Sequence, residues 1–168
     1  MALVRIIPAT SAHVVAFLRD PQDLSALLGS PVPQGWPEFP EAFPHTLHRL
    51  EAHPDEADWW MHFFCDARTG VLVGSGGFAG KPAHRQVEIG YEVAPAFRRR
   101  GYATAAVNAL IAKAVLSGEV DHIVAHTLAG DQRSAGVLRA TDFSETGHTT
   151  HPDDGDLVRW LRQVDLHR

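Results

Sequence analysis

The chain has 168 residues and a net charge of −5, with 45% hydrophobic and 21% charged residues, values that suit one folded domain over residues 1–168 and exclude a disordered chain. The acidic balance argues against nucleic acid as a partner, and a single cysteine, Cys65, excludes an internal disulfide. Neither a signal peptide nor a membrane-spanning apolar run is legible, so a cytoplasmic protein with no membrane partner is expected.

The opening "ALVRIIPAT" reads as a strand. Ser11 is placed to cap a helix through "AHVVAFLRD", broken or bent at Pro21, resumed in "DLSALL" and closed by Gly29. Five prolines from Pro31 to Pro44, interleaved with Trp36, Phe39 and Phe43, prevent regular structure and predict a stiff loop. A short helix, "HTLHRLEAH", follows and stops before Pro54. "WWMHFFCDA", the turn "RTG" and "VLVGSGGFAG" form an antiparallel hairpin, with Cys65 read as a buried structural thiol. The strand "QVEIGYEVA" ends at Pro95. Ala103, Val107, Leu110, Ile111 and Ala114 recur at helical spacing, and Gly118 is a natural stop. "HIVAHT" is a further strand, "RSAGVLRA" a short helix, and "FSETGHTT" with "DLVRWLRQV" a closing strand pair. Mostly antiparallel strands with a few helices give an α+β class.

Between the Pro95 strand end and the long helix lie Arg98, Arg99, Arg100 and Gly101. A helix start has unpaired amides and partial positive charge, and Gly101 and Ala103 keep it free of bulk. Arginines at the rim suit a phosphate or pyrophosphate; the plainer alternative is a solvated basic loop. The glycines of "VGSGGF" are not followed by a Lys-Ser or Lys-Thr pair, so strand packing or a bulge explains them better than a phosphate loop.

"RRRGYA" matches the R/Q-x-x-G-x-G/A signature of the GNAT superfamily of N-acetyltransferases, with Arg98, Gly101 and Ala103 at the defining positions. "VEIGYEVAPAFRRRGYATAAV" resembles the RimJ/RimL-like group typified by ribosomal-protein alanine acetyltransferases, and the resemblance runs from about Arg5 to Leu161. It implies a twisted, mostly antiparallel mixed sheet flanked by helices, with splayed central strands forming an acyl-CoA cleft. By that resemblance, backbone near Glu92, Val93 and Ala94 holds the pantetheine arm. The pyrophosphate then falls to the amides of Arg99, Arg100, Gly101, Tyr102, Ala103 and Thr104. Acetyl-CoA is the expected co-substrate.

A lysine amine titrates near roughly 10.4 and an α-amine near about 8, so a proton acceptor helps the attack. Glu88, early on the cofactor strand, is the candidate base, against the alternative of a sheet carboxylate without a role. Glu92 lies on the same face, four residues on. The resemblance places a serine, Ser134, near the departing sulfur; by spacing alone the alternative is a simple helix-start serine. Asp131 stands where the family often has an asparagine near CoA, and is a natural helix cap. Asp142 replaces the usual glycine before Phe143. The 11 histidines are scattered singly, so no metal is expected; His126 is expected to pack rather than face substrate.

The acceptor side falls by resemblance to the N-terminal helices and the proline-rich loop. Trp36 is expected to wall the acceptor pocket and Phe43 to tuck onto the core. These readings predict a GNAT enzyme moving acetyl from acetyl-CoA directly to a primary amine. A protein or peptide α-amine is the first expectation, with a small-molecule amine beside it. The alternative is a catalytically silent acyl-CoA sensor on the same fold; a homodimer is also compatible.

Overall fold

The structure, a computed structural model, describes residues 1–164; the last four residues of the expected 1–168 domain lie outside the described residues. Its seven strands are β1 (Val4–Pro8), β2 (Met61–Asp66), β3 (Leu72–Phe78), β4 (Gln86–Val93), β5 (His122–Leu128), β6 (Ser144–His151) and β7 (Gly155–Gln163). They form one sheet in the order β1-β2-β3-β4-β5-β7-β6. Every neighbouring pair is antiparallel except β4–β5, which is parallel. The helices are α1 (Ser11–Arg19), α2 (Pro21–Leu28), α3 (Ala42–Ala52), α4 (Tyr102–Ser117) and α5 (Gln132–Ala140). This is the mixed, mostly antiparallel α+β architecture the sequence implied. None of the helices among the described residues is long and apolar enough to cross a membrane.

Local chemistry moves several boundaries. Thr10, not Ser11, caps α1: its hydroxyl accepts from the His13 amide, and the His13 ring accepts in return from the Thr10 amide. The break at Pro21 separates two helices, because Asp20 accepts from the Gln22 amide and Pro21 opens α2. Pro44 sits in the first turn of α3, where a missing amide costs little, so the loop ends earlier than its prolines suggested. Trp59 closes a 3-10 turn over Pro54–Trp59, which delays β2 to Met61. Gly29 and Gly118 stop α2 and α4 in the left-handed conformation, as expected.

Each face of the sheet buries its own core. Phe64, Val73, Ile89, Val107, Leu110 and Trp160 pack on the face covered by α4 and α5. Val14, Leu24, Trp36, Phe43, Phe63 and Leu72 pack on the face covered by α1–α3. Adjacent Phe63 and Phe64 thus serve opposite cores, as strand alternation requires, and Cys65 is buried in the second. The glycines of β3 are packing glycines. A Cβ on Gly74 or Gly76 would meet the carbonyl oxygens of Glu92 or Gly90, and one on Gly77 that of Trp60.

Candidate active site

The site begins where the parallel pair comes apart. β4 and β5 pair only from Gln86↔His122 to Ile89↔Ala125. Beyond that fork β4 continues to Val93, still paired with β3, and β5 continues to Leu128, paired with β7. The strands therefore splay into the expected cleft.

Backbone parity decides which groups face the cleft. The Ala94 amide donates to Val73 and the Glu88 carbonyl accepts from Ala79, so even-numbered β4 residues turn toward β3. Tyr91 and Val93 consequently present their amides and carbonyls to the opening. Among the expected backbone contacts, Val93 faces the cleft, whereas Glu92 and Ala94 are committed to the β3 side. The Val93 carbonyl is already taken by Arg98 Nε at 3.1 Å. Ala94 is also fully packed in the core, at 1% exposure.

One wall of the cleft ends on the start of α4. Gly101 is its cap residue, in the left-handed conformation and without a side chain to satisfy the first turn. The first amide to find a protein acceptor is that of Ala105, on Gly101; those of Arg99 through Thr104 find none among the described residues. Unpaired amides and the helix dipole here have the chemistry that suits an anion. The Tyr102 hydroxyl donates to Asp66 at 2.6 Å. That hydrogen bond, with the Thr69 and Arg68 amides, holds the Asp66 carboxyl down to about 2. The Tyr102–Asp66 bond fixes the helix start against the β2–β3 turn.

The three arginines have separate fates. Arg99 lines the cleft and, with φ +63°, occupies the left-handed region where a non-glycine residue is uncommon. Arg98 also lines it, but its guanidinium holds the Val93 carbonyl and approaches Glu38 at 3.7 Å. Arg100 does not line the cleft: its guanidinium lies over the Phe97 ring, 5.7 Å from the centroid. Arg133, which sequence reasoning passed over, supplies a further cation from α5 on the opposite wall. The long separation of Arg133 from the arginine run hid it.

Asp131 caps α5 by accepting from the Ser134 amide at 3.1 Å, so the capping reading holds, while Asp131 also lines the cleft. The Ser134 carbonyl accepts from the Tyr91 hydroxyl, and Ser134 lines the same cavity of about 350 Å³. Burial pushes the Tyr91 hydroxyl up, out of reach of neutral pH.

A second cavity, of about 420 Å³, adjoins the first; Phe39, Tyr91 and Glu92 line both. Glu88 and His126 stand on its wall at the fork, Glu88 one residue before the last parallel pair and His126 one residue after it. His126 Nδ1 lies 3.0 Å from Glu88 Oε1. The expected packed histidine is instead a cavity-facing partner of the candidate base. Glu92 does not share that freedom. Its two oxygens accept from the Glu38 amide at 2.7 Å and the Phe39 amide at 3.3 Å, pinning the proline-rich loop to β4. Burial raises the Glu92 carboxyl, and those two amides oppose the rise.

Trp36 is the clearest displacement from expectation. It lines neither cavity, is 5% exposed, and its indole N–H donates to Ser75 Oγ at 2.9 Å within the α1–α3 core. Phe43 is buried beside it, as expected, and Phe39, 52% exposed, stands at the junction of the cavities. Among the described residues, no group of three or more His, Cys, Asp or Glu side chains is placed to hold a metal.

The sequence matches the family described as "Acetyltransferase (GNAT) domain" over residues 3–144. No curated protein sequence matches at a significant level. Among solved structures, RimL, a ribosomal L7/L12 α-N-protein acetyltransferase in complex with coenzyme A, superposes with a TM-score of 0.70 at 18% identity, covering 99% of this chain and 97% of that one. A spermidine N-acetyltransferase SpeG chimera from Vibrio cholerae and hSSAT gives 0.70 at 15% identity, covering 96% of each chain. The ribosomal-protein-S5-alanine acetyltransferase from Vibrio fischeri gives 0.66 at 17% identity, covering 97% of this chain and 94% of its own. At these identities the likeness is one of fold.

Proposed function

The chain belongs to the GNAT family of acetyl-CoA-dependent acetyltransferases, and from that premise we propose that it transfers acetyl directly from acetyl-CoA to a primary amine within one catalytic domain. The observation that carries this reading is the continuity of the site. An uncapped helix start, a stretch of unpaired strand backbone and a carboxylate–imidazole pair lie in sequence along one opening in the sheet.

Each residue then has a physical task. The amides from Arg99 to Thr104 receive the pyrophosphate, with Arg99 and Arg133 adding charge at the rim. Tyr91 and Val93 offer backbone groups to the extended pantetheine arm. An arm running from the α4 seat along β4 reaches the fork, where Glu88 and His126 wait. The neutral amine forms a C–N bond with the thioester carbonyl carbon, and the C–S bond breaks. The Glu88–His126 pair takes the amine proton and passes it to solvent, and the Ser134 hydroxyl donates a hydrogen bond to the departing thiolate, which takes up a proton from solvent and leaves as the CoA thiol. Oriented N–H groups near the carbonyl oxygen stabilise the charge developing there.

Calorimetric titration with acetyl-CoA, followed by thiol release across a panel of amines, tests the reading. Binding with turnover is expected, and Glu88→Gln should lower kcat by about 10²-fold, the scale of general base catalysis, with acetyl-CoA affinity retained. Absence of acetyl-CoA binding sinks the proposal. Binding without turnover on any amine favours the silent sensor.

A further inference from the structure

The cavity beyond the fork carries information about the acceptor, resting on the acetyl-transfer reading above. Its apolar lining includes Phe39, Ala42, Trp60 and Met61, whereas Phe78 and Ile89, which also border it, are buried in the core on the opposite face of the sheet. Its volume, about 420 Å³, is the scale of a small-molecule site. Among the described residues no lysine or arginine lines it. Arg49 lies over the Trp60 ring at 5.4 Å but is not part of the wall. The imidazoles that face the cavity are already engaged: His126 is held by Glu88, and His45 lies edge-on to Trp60 with centroids 5.5 Å apart.

The carboxylates are equally informative. Glu88 and Glu92 both line the cavity, but both Glu92 oxygens are occupied by backbone amides. Glu88, with one oxygen toward His126 and the other without a hydrogen-bond partner among the described residues, is the less committed of the two for an incoming ammonium. We infer that the acceptor is a small monoamine on an aromatic or apolar body, presented to Glu88 with Phe39 and Trp60 against the body. A polyamine would bring further ammonium groups against apolar side chains, with no second carboxylate as uncommitted as Glu88 to pair them. A free amino acid would set its carboxylate beside Glu88 and Glu92 with no cationic side chain to pair it. A peptide would have to extend past Phe39 and α3, whose Ala42, His45 and Thr46 line the cavity. Acetylation of the neutral monoamine yields the amide and the CoA thiol, with the amine proton passing through the Glu88–His126 pair.

The test uses the full chain loaded with CoA and measures binding of four probes by calorimetry: 2-phenylethylamine, phenylalanine, spermidine and an alanine-initiated tetrapeptide. 2-Phenylethylamine and phenylalanine differ by one carboxylate, so their ratio reads charge exclusion directly. At least tenfold tighter binding of 2-phenylethylamine than of the other three is expected, with the same order in kcat/KM when acetyl-CoA replaces CoA. Phe39→Ala should weaken 2-phenylethylamine binding several-fold at unchanged melting temperature. Equal or tighter binding of spermidine, phenylalanine or the peptide overturns the inference, whatever the turnover. Acetyl-CoA binding without any binding of 2-phenylethylamine also overturns it while leaving the acetyl-transfer reading intact. Failure to bind acetyl-CoA at all instead condemns that underlying reading.

Discussion

Ala103 holds the second position of α4, and its methyl leaves the first-turn amides open to an anion. That helix has no acidic residue in its first turn, although a carboxylate there would favour the helix by about 0.3–1 kcal/mol. Ala103→Glu should therefore separate stability from binding. Urea denaturation is expected to show an unchanged or slightly higher unfolding free energy, while calorimetry shows acetyl-CoA affinity lower by about tenfold or more. A variant that binds normally would remove the α4 start from the phosphate site. Glu92 shows how position overrides residue type. It shares a face with Glu88, yet its carboxylate organises the loop carrying Phe39 while that of Glu88 faces the cavity beside His126.

The element that matters most is α4, because its first turn must be presented at a fixed angle. It is tied at the start by Tyr102 to Asp66, and in its second half by Lys113 to Asp58 and His62, at 2.8 and 2.7 Å. His62 is fully buried; a neutral ring can donate from Nδ1 to the Trp60 carbonyl and accept from Lys113 at Nε2. Burial, and then the Lys113 charge, push its pKa down from 6.5 to about 4. The unfolded chain thus takes up a proton at a pH where the folded chain resists it. Stability should fall as pH drops from 6.5 toward 4 and level off below, by an amount on the order of 3 kcal/mol for this group. His62→Gln keeps an acceptor for Lys113 and removes the titration. Unfolding free energies at pH 7, 5.5 and 4.5 should then show a flatter slope in the variant; parallel slopes would contradict the assignment.

At the scale of the whole molecule, the opening is held by two independent cores. The sheet is packed on both faces, yet β4 and β5 separate beyond Ile89 and Ala125. Unpaired backbone in such a fork is satisfied by water or by a ligand, so an acyl-CoA bridging strand and helix stabilises the native state by linkage. At a hundredfold excess over Kd the gain is about 2.7 kcal/mol, which raises the melting temperature by roughly 5–10 °C for a chain of this size. Differential scanning fluorimetry with acetyl-CoA, and with an equal concentration of ATP as a control, checks this. A larger shift with acetyl-CoA than with ATP is expected, since the fork contributes only when a pantetheine arm is present.

Local chemistry in the sequence determined most of the elements: apolar periodicity marked α4, Gly29 and Gly118 marked helix ends, and alternation marked the strands. "RRRGYA" likewise marked the start of α4, because a glycine-opened helix start is a local feature of a few consecutive residues. Tertiary structure alone decided the use of each side chain. Trp36 was assigned to the core, and Phe39 to the cavity, by the Trp36–Ser75 and Glu92–amide hydrogen bonds, each spanning more than 35 residues of chain. Strand parity, set by the pairing of β4 with β3, turned Tyr91 and Val93 rather than Glu92 and Ala94 to the cleft. Arg133 and His126 entered the site from elements that follow α4, brought there by the parallel return of β5 beside β4. Spacing reports what neighbouring residues do together; which distant residues meet depends on the sheet order and on where two strands stop pairing.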